Sequence, residues 1–489
     1  MSGKYIDSRV PAPELPPPVD AVAGSDSGEA SYRRSVLIMA MSTAFINPFV
    51  GSAVNVALPA IAKVFTADAV MISWVAMSYL LASAAFMVPF GRLADICGRK
   101  KIYLTGIFLF TLSSVFCASC DSIGSLIFFR TFQGLSSAMI FSTSMAILMS
   151  AYPGAGRGKA LGLTVASTYT GLSAGPFIGG LITQYSSWRG IFWFSFAVSL
   201  YAALLTYYKV NVRSESACNE KFDYAGSVVY ISAMLFTLYG FTRFPGTEGY
   251  YLIGAGIILA LFFLRVESLA AAPVLNVNLF MGNRAFMLSN IAALIHYSAT
   301  FGLTFLLSLY LQYNKAMTPR EAGAVLIAQP LMMAVFSPIV GRLSEKIEPA
   351  FLASAGMGLT GLGLFFFVPI SADTSILMIV LNLAMIGFGF ALFSSPNINA
   401  VMSSVQNRHY GIASGILSTM RTAGQAFSMG ISSMMIAVYV GKNRITPQNF
   451  DSFLSCVSVT FSIFAVLCVI GIFCSLARGK VHTPDKKPV

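Results

Sequence analysis

Charge is scarce in this chain. Asp, Glu, Lys and Arg make up 10% of its 489 residues, while 56% are hydrophobic; soluble proteins carry about 25% charge. A water-soluble globule is thereby excluded, and a mean hydropathy of +0.74 agrees. Histidine occurs three times. The seven cysteines (Cys97, Cys117, Cys120, Cys218, Cys456, Cys468 and Cys474) are scattered, mostly within apolar runs. Cys117 and Cys120 form a C-x-x-C, but no second ligand pair accompanies it, so neither a zinc site nor a disulfide framework is indicated, and no metal or cofactor is expected. No nucleophile–base set or phosphate loop is present, which makes an enzyme the least expected class. The shortage with the sharpest consequence is of acid: none of the 19 Asp and Glu lies inside a long apolar run. A carboxylate relay at membrane depth, the usual device for moving protons through a bilayer, is not visible.

What is present is a series of uncharged apolar runs, long enough to cross a membrane as helices. They lie at 35–58, 71–90, 102–119, 123–149, 160–184, 190–208, 224–242, 249–264, 285–312, 322–340, 350–370, 374–396, 411–440 and 452–476, about fourteen in all. Residues 1–34 form a polar tail rich in Pro, Ser and Asp that reads as disordered, and 477–489 form a second tail. The first run is too long for a signal-peptide core and is taken as retained. Lys and Arg favour one set of alternating connections, the one containing both termini, by roughly three to one. A multi-pass protein of the cell membrane with both termini cytoplasmic is therefore expected. The net charge of +12 then belongs to a membrane face, and a nucleic-acid partner is not expected.

The chain also repeats itself. Gly341-Arg342-Leu343-Ser344-Glu345 echoes Gly91-Arg92-Leu93-Ala94-Asp95, each at the end of the second helix of its half. Two six-helix halves, 35–208 and 285–476, are expected to flank a midplane cavity. Residues 209–284 would be an insert holding two extra helices.

Gly91-Arg92-Leu93-Ala94-Asp95-Ile96-Cys97-Gly98-Arg99-Lys100-Lys101 is the densest polar interruption. Such a cluster cannot lie in hydrocarbon and reads as a tight connection at the membrane surface, with Gly91 and Gly98 permitting sharp turns and Asp95 placed to bind a nearby Arg or a helix end. It closely resembles the G-x-L-A-D-x-x-G-R-K-K loop of the major facilitator superfamily, with Ile96 where that family usually has a basic residue. Fourteen helices, and Phe222-Asp223-Tyr224-Ala225-Gly226 opening the insert, resemble the drug:proton antiporter branch. Gly171-Leu172-Ser173-Ala174-Gly175-Pro176-Phe177-Ile178-Gly179-Gly180 is similar to the antiporter motif of exporters in that family. Its glycines at four-residue spacing give one smooth helix face, and Pro176 should kink the helix; a pliable seam between the halves is expected, with a static G-x-x-x-G helix contact as the alternative. Asn55-Val56-Ala57-Leu58-Pro59 matches the end of a branch pattern, but Val50 stands where the branch usually has an Asp.

The resemblance implies an all-α membrane protein of the major facilitator fold, two six-helix bundles plus two central helices, and a gating loop at Gly91, Asp95, Gly98, Arg99 and Lys100. Three embedded ionisable residues are candidates for charge coupling. Arg130 resembles the fourth-helix Arg that the family links to proton transfer; equally, an Arg there would hold helices 1 and 4 together through backbone carbonyls. His296 titrates near neutral pH when unperturbed, though a neutral His bonded to a neighbouring helix is the commoner case. Arg421 would attract an anionic substrate, and it also resembles a recurring Arg of the branch. Asn55, Gln133 and Tyr169 are expected in the substrate cavity. The function expected is export of small amphipathic or drug-like molecules by alternating access, with protons as the coupling ion. The alternatives are an uncoupled facilitator or charge-driven exporter of a specific, anionic metabolite, and a non-transporting membrane receptor. A small-molecule substrate, the lipid bilayer and a monomeric state complete the expectation.

Overall fold

The structure, a computed structural model, describes residues 26–152, 156–210, 222–269, 280, 282–406 and 410–479. Among them lie fourteen long helices: α1 (Asp26–Phe65), α2 (Ala69–Cys97), α3 (Arg99–Ala118), α4 (Ile123–Ala151), α5 (Arg157–Tyr185), α6 (Arg189–Lys209), α7 (Tyr224–Arg243), α8 (Thr247–Leu269), α9 (Arg284–Tyr313), α10 (Pro319–Leu343), α11 (Pro349–Phe366), α12 (Ile376–Ser403), α13 (Tyr410–Tyr439) and α14 (Phe450–Ala477). The described residues contain no strand. Each apolar run became one helix. α10 breaks at Ile327 into Pro319–Leu326 and Ala328–Leu343, because Pro330 has no N–H to offer the Leu326 carbonyl. Of the fourteen, 12 are long and apolar enough to cross a membrane; α5 and α13 fall short because Gly, Ser and Thr dilute them.

Two expectations about helix ends need correction. Residues 26–34, assigned to the disordered tail, continue α1, where Glu29 and Arg33 pair one turn apart. Residues 1–25, 480–489 and Cys218 lie outside the described residues. The polar stretch at Gly91–Lys101 is not a loop: α2 runs on to Cys97 and α3 restarts at Arg99, leaving Gly98 alone as the joint. Water at the membrane surface satisfies charged side chains whether the backbone is helical or not, so charge by itself does not end a helix. Gly98 takes φ +99°, a region that side chains with a Cβ rarely enter. Gly91 is helical, and a Cβ there would merely touch Ser142 at 3.8 Å.

α1–α6 form one bundle and α9–α14 the other, with matching internal contacts: α1 on α5 and α2 on α4 in the first, α9 on α13 and α10 on α12 in the second. The repeat extends to single glycines. A Cβ on Gly134 would overlap the Tyr79 carbonyl oxygen; about 250 residues on, Gly387 stands in the same relation to Gln329. Gly171 against Phe45 is repeated by Gly424 against Leu294. Lipid tails are as apolar as the helices, so close backbone approach of this kind drives their association.

The bundles meet along α2–α13 and α5–α10. α7 lies over the first of these seams. Its Tyr230 hydroxyl donates to the Ala84 carbonyl on α2 at 3.1 Å, and its Phe241 meets Phe427 on α13. α8 packs on α7 and buries little of its apolar length, so most of its surface is left to lipid. At the chain's far end Arg478, 2% exposed, reaches back to Asn397 Oδ1 at 3.0 Å and Ser289 Oγ at 3.3 Å. Burial pushes this guanidinium down to about 10, with Glu348 acting the other way, so it stays charged at neutral pH.

Candidate functional site: a cavity between the bundles

A cavity of about 210 Å³ lies between the bundles, lined by α1, α2, α4 and α5 from one and α9, α10, α12 and α13 from the other. Four helices turn a polar stripe toward it at spacings of three and four residues, the period of one helix face. The stripes are Asn47, Ser52 and Asn55 on α1, with Gly51 between them; Thr164, Thr168 and Tyr169 on α5; Tyr297, Thr300 and Thr304 on α9; and Ser418, Arg421, Thr422 and Gln425 on α13.

Away from the chain termini, at what we term the distal end, the bundles are bonded to each other. Ser308 Oγ donates to the Asn55 carbonyl at 2.8 Å and Gln312 Nε2 to the Val56 carbonyl at 2.9 Å. Arg444 Nε donates to the Thr66 carbonyl at 3.1 Å, and the Ala69 N–H to the Asn443 carbonyl at 3.1 Å. Arg320 Nη1 donates to the Tyr185 hydroxyl at 2.8 Å. Two glycines allow this closure: a Cβ on Gly180 would overlap the Pro319 carbonyl oxygen, and one on Gly323 the Pro176 carbonyl oxygen. On the side of the termini, the Tyr169 and Ser394 hydroxyls meet at 3.1 Å, and Arg157 lies 5.1 Å from the Tyr410 ring centroid.

The expected site residues separate in this frame. Asn55 and Tyr169 line the cavity. Gln133 does not; it is fully buried, accepting from Arg130 Nη1 at 2.6 Å and donating to Ser114 Oγ at 2.8 Å. Arg130, 1% exposed, also donates from Nε to the Val75 carbonyl at 3.1 Å and lies over the Tyr79 ring, 4.4 Å from its centroid. It therefore ties α4 to α2, not to α1 as its plainer reading had it. The link to α1 runs through Tyr79, whose hydroxyl donates to Asn47 Oδ1 at 3.1 Å. Tyr79 itself faces the cavity, so Arg130 stands directly behind the wall.

His296 is fully buried and lies off the cavity wall. Its ring centroid is 4.1 Å from that of Phe393 and 4.9 Å from that of Phe390, and neither ring nitrogen has a hydrogen-bond partner among the described residues. The expected bond to a neighbouring helix is absent; the imidazole serves as an aromatic surface. Arg421 is half-buried on the wall, 5.1 Å from the Tyr297 ring centroid. No acidic residue forms a salt bridge with it among the described residues.

The glycine face of α5 points elsewhere than expected. Cβ atoms on Gly171, Gly175 and Gly179 would overlap Phe45, Ser52 and Ala53, all on α1 of the same bundle. Within this motif the seam between the halves is met by Pro176, Phe177 and Gly180, and Leu172 faces the cavity. A small-residue face announces close approach but not the partner. In the Gly91–Lys100 segment, Asp95 pairs with Arg99 across the Gly98 joint at 3.0 Å, both about half exposed. Reading residue by residue missed Tyr297, Gln329 and Gln425, all on the wall. The signal was available on α13, where Ser418, Arg421, Thr422 and Gln425 interrupt an apolar helix at one-face spacing.

The family model described as Major Facilitator Superfamily matches residues 40–429 and 289–489. The riboflavin transporter RibZ of Clostridioides difficile is 29% identical over 437 residues, which is 89% of this chain and 95% of that one. The multidrug resistance protein Stp of Mycobacterium tuberculosis is 29% identical over 396 residues, 79% of this chain and 73% of that one. Among solved structures, a peptide transporter POT superposes with a TM-score of 0.65 at 14% identity, covering 90% of this chain and 97% of its own. That likeness carries the fold alone, and the fold, the cavity and the family match agree: this chain is a multi-pass membrane protein that belongs to the major facilitator superfamily.

Proposed function

We propose that the protein exports small amphipathic molecules by alternating access, with the termini in the cytoplasm. The observation that carries this reading is a polar-lined cavity between two repeat-related bundles, closed at its distal end by bonds between the bundles. Breaking those bonds while the opposite side closes would expose the same cavity to the other face. The relatives named for drug resistance favour outward transport. Reconstitution in vesicles, with flux read for dyes, antibiotics and small aromatic anions, tests the reading; no flux above empty vesicles for any of them would sink it.

In this scheme the Asp95–Arg99 joint takes part in closing the terminal side. An exposed ion pair one turn apart contributes only about 0.3–0.5 kcal/mol to stability, so Asp95→Asn should leave the amount of protein in the membrane unchanged. Its flux should nonetheless fall by about tenfold or more, measured in vesicles; wild-type flux would remove Asp95 from the gate.

The source of energy has two readings. Proton antiport is what the motifs resemble. The cavity favours another: among the described lining residues there is no Asp, Glu or His, and the branch's Asp position holds Val50, which is fully buried. Transport driven by the substrate's own charge and concentration is then expected to run at the same rate with or without an imposed pH gradient, measured in vesicles clamped at constant membrane potential. Acceleration by the gradient would establish antiport instead.

A further inference from the structure

We infer that the cavity is built for an anion: a small aromatic molecule bearing one anionic oxyacid group, held by Arg421. This deepens the transport reading above by naming the substrate class of the same site. Arg421 is the sole charged residue among the described residues of the wall. Its guanidinium presents donors in a planar fork and has the Tyr297 ring beside it, while no described acidic residue pairs with it. A carboxylate or sulfonate supplies two coplanar acceptors at once, which no described residue offers that fork. Arg130 stands behind Tyr79 and adds a second positive charge to the field, in a setting where low dielectric weakens screening. A cationic molecule entering the cavity would meet both charges with no carboxylate among the described lining residues to offset them.

The remainder of the wall specifies the rest of the molecule. Tyr169, Tyr297 and Phe390 offer ring faces and edges. Asn55 is 2% exposed and its Oδ1 accepts no hydrogen bond from the described residues, so a donor on the ligand's far side would have an acceptor waiting. The volume of about 210 Å³ is below the ~300–1,000 Å³ usual for drug-sized ligands, which favours a body of one or two rings in this state.

Three naphthalene probes that differ in one substituent test the inference: naphthoate, naphthylmethanol and naphthylmethylammonium. Their affinities for the purified full-length protein are measured by calorimetry in detergent, a readout that does not depend on flux. Naphthoate should bind about tenfold or more tightly than the ammonium, with the alcohol between them. Arg421→Gln should erase that order, and Arg421→Lys, which keeps the charge but not the fork, should restore part of it. Equal affinities in the wild type, no naphthoate binding at millimolar concentration, or an unchanged order in a folded Arg421→Gln variant would each overturn it. Binding in this order without flux in vesicles would instead fault the transport reading and leave the anion site standing.

Discussion

Gly180→Ala should leave the protein folded yet drive the distal end of the bundles apart. The added methyl overlaps the Pro319 carbonyl oxygen, and that oxygen belongs to the other bundle, so the clash is relieved by separation. Overpacking of this size costs about 1–3 kcal/mol, which shifts a two-state balance by roughly 5- to 150-fold. Gly171→Ala places a methyl against the Phe45 carbonyl oxygen, inside one bundle, where no rigid-body movement relieves it. The same cost then falls on folding, and lower yield with a lower melting temperature is expected. Cysteines placed at positions 66 and 444, where Arg444 reaches the Thr66 carbonyl at 3.1 Å, report the distal gap. Cross-linking should collapse in the Gly180→Ala background. If it stays at the parental level, Gly180 does not control that gate.

Arg130→Met should abolish most transport while sparing the fold. Several terms compete. Losing the guanidinium orphans Gln133 Oε1, at about 1–3 kcal/mol, and removes a cation–π contact with Tyr79 of about 0.5–2 kcal/mol. Against this, a buried charge is no longer held out of water, a relief of several kcal/mol, and Met roughly preserves the volume. The stability terms therefore come close to cancelling. What does not cancel is the position of Tyr79, a cavity residue pinned between Arg130 and the Asn47–Ser137 pair. Flux in vesicles is expected to fall by about tenfold or more for a melting temperature within a few degrees of wild type. Arg130→Lys should not rescue it, because an ammonium does not match the planar fork that bonds and stacks at once. Full flux from Arg130→Met would reduce Arg130 to a filler.

The spans were legible because hydrocarbon admits only structures whose backbone groups are all satisfied internally, and uncharged apolar runs of about twenty residues fit the helical one, not the alternating strands of a barrel. The Gly341-Arg342-Leu343 echo of Gly91-Arg92-Leu93 likewise revealed the repeat that Gly134 and Gly387 now show at atomic scale. Direction was harder to read. Nothing in Gly171, Gly175 and Gly179 says whether their smooth face meets α1 or the opposite bundle. Gln133 and Asn55 are both polar and embedded, but one turns to Arg130 and the other to the cavity. His296 looked titratable by residue type, while its surroundings, Phe390 and Phe393, come from α12, about 100 residues away. Such facts live in the rotation of one helix against another, which the period of a single helix constrains only when a whole stripe is read together.

The insert's attachment has a consequence for motion. α7 grips α2 through a directional bond, Tyr230 to the Ala84 carbonyl, but touches α13 through aromatic and aliphatic surfaces around Phe241 and Gly430. A hydrogen bond resists sliding; greasy faces do not. In the proposed alternating-access cycle α7 and its outrigger α8 should ride with the first half and skate across the second, so the two moving masses are unequal even though the halves are built from a repeated part.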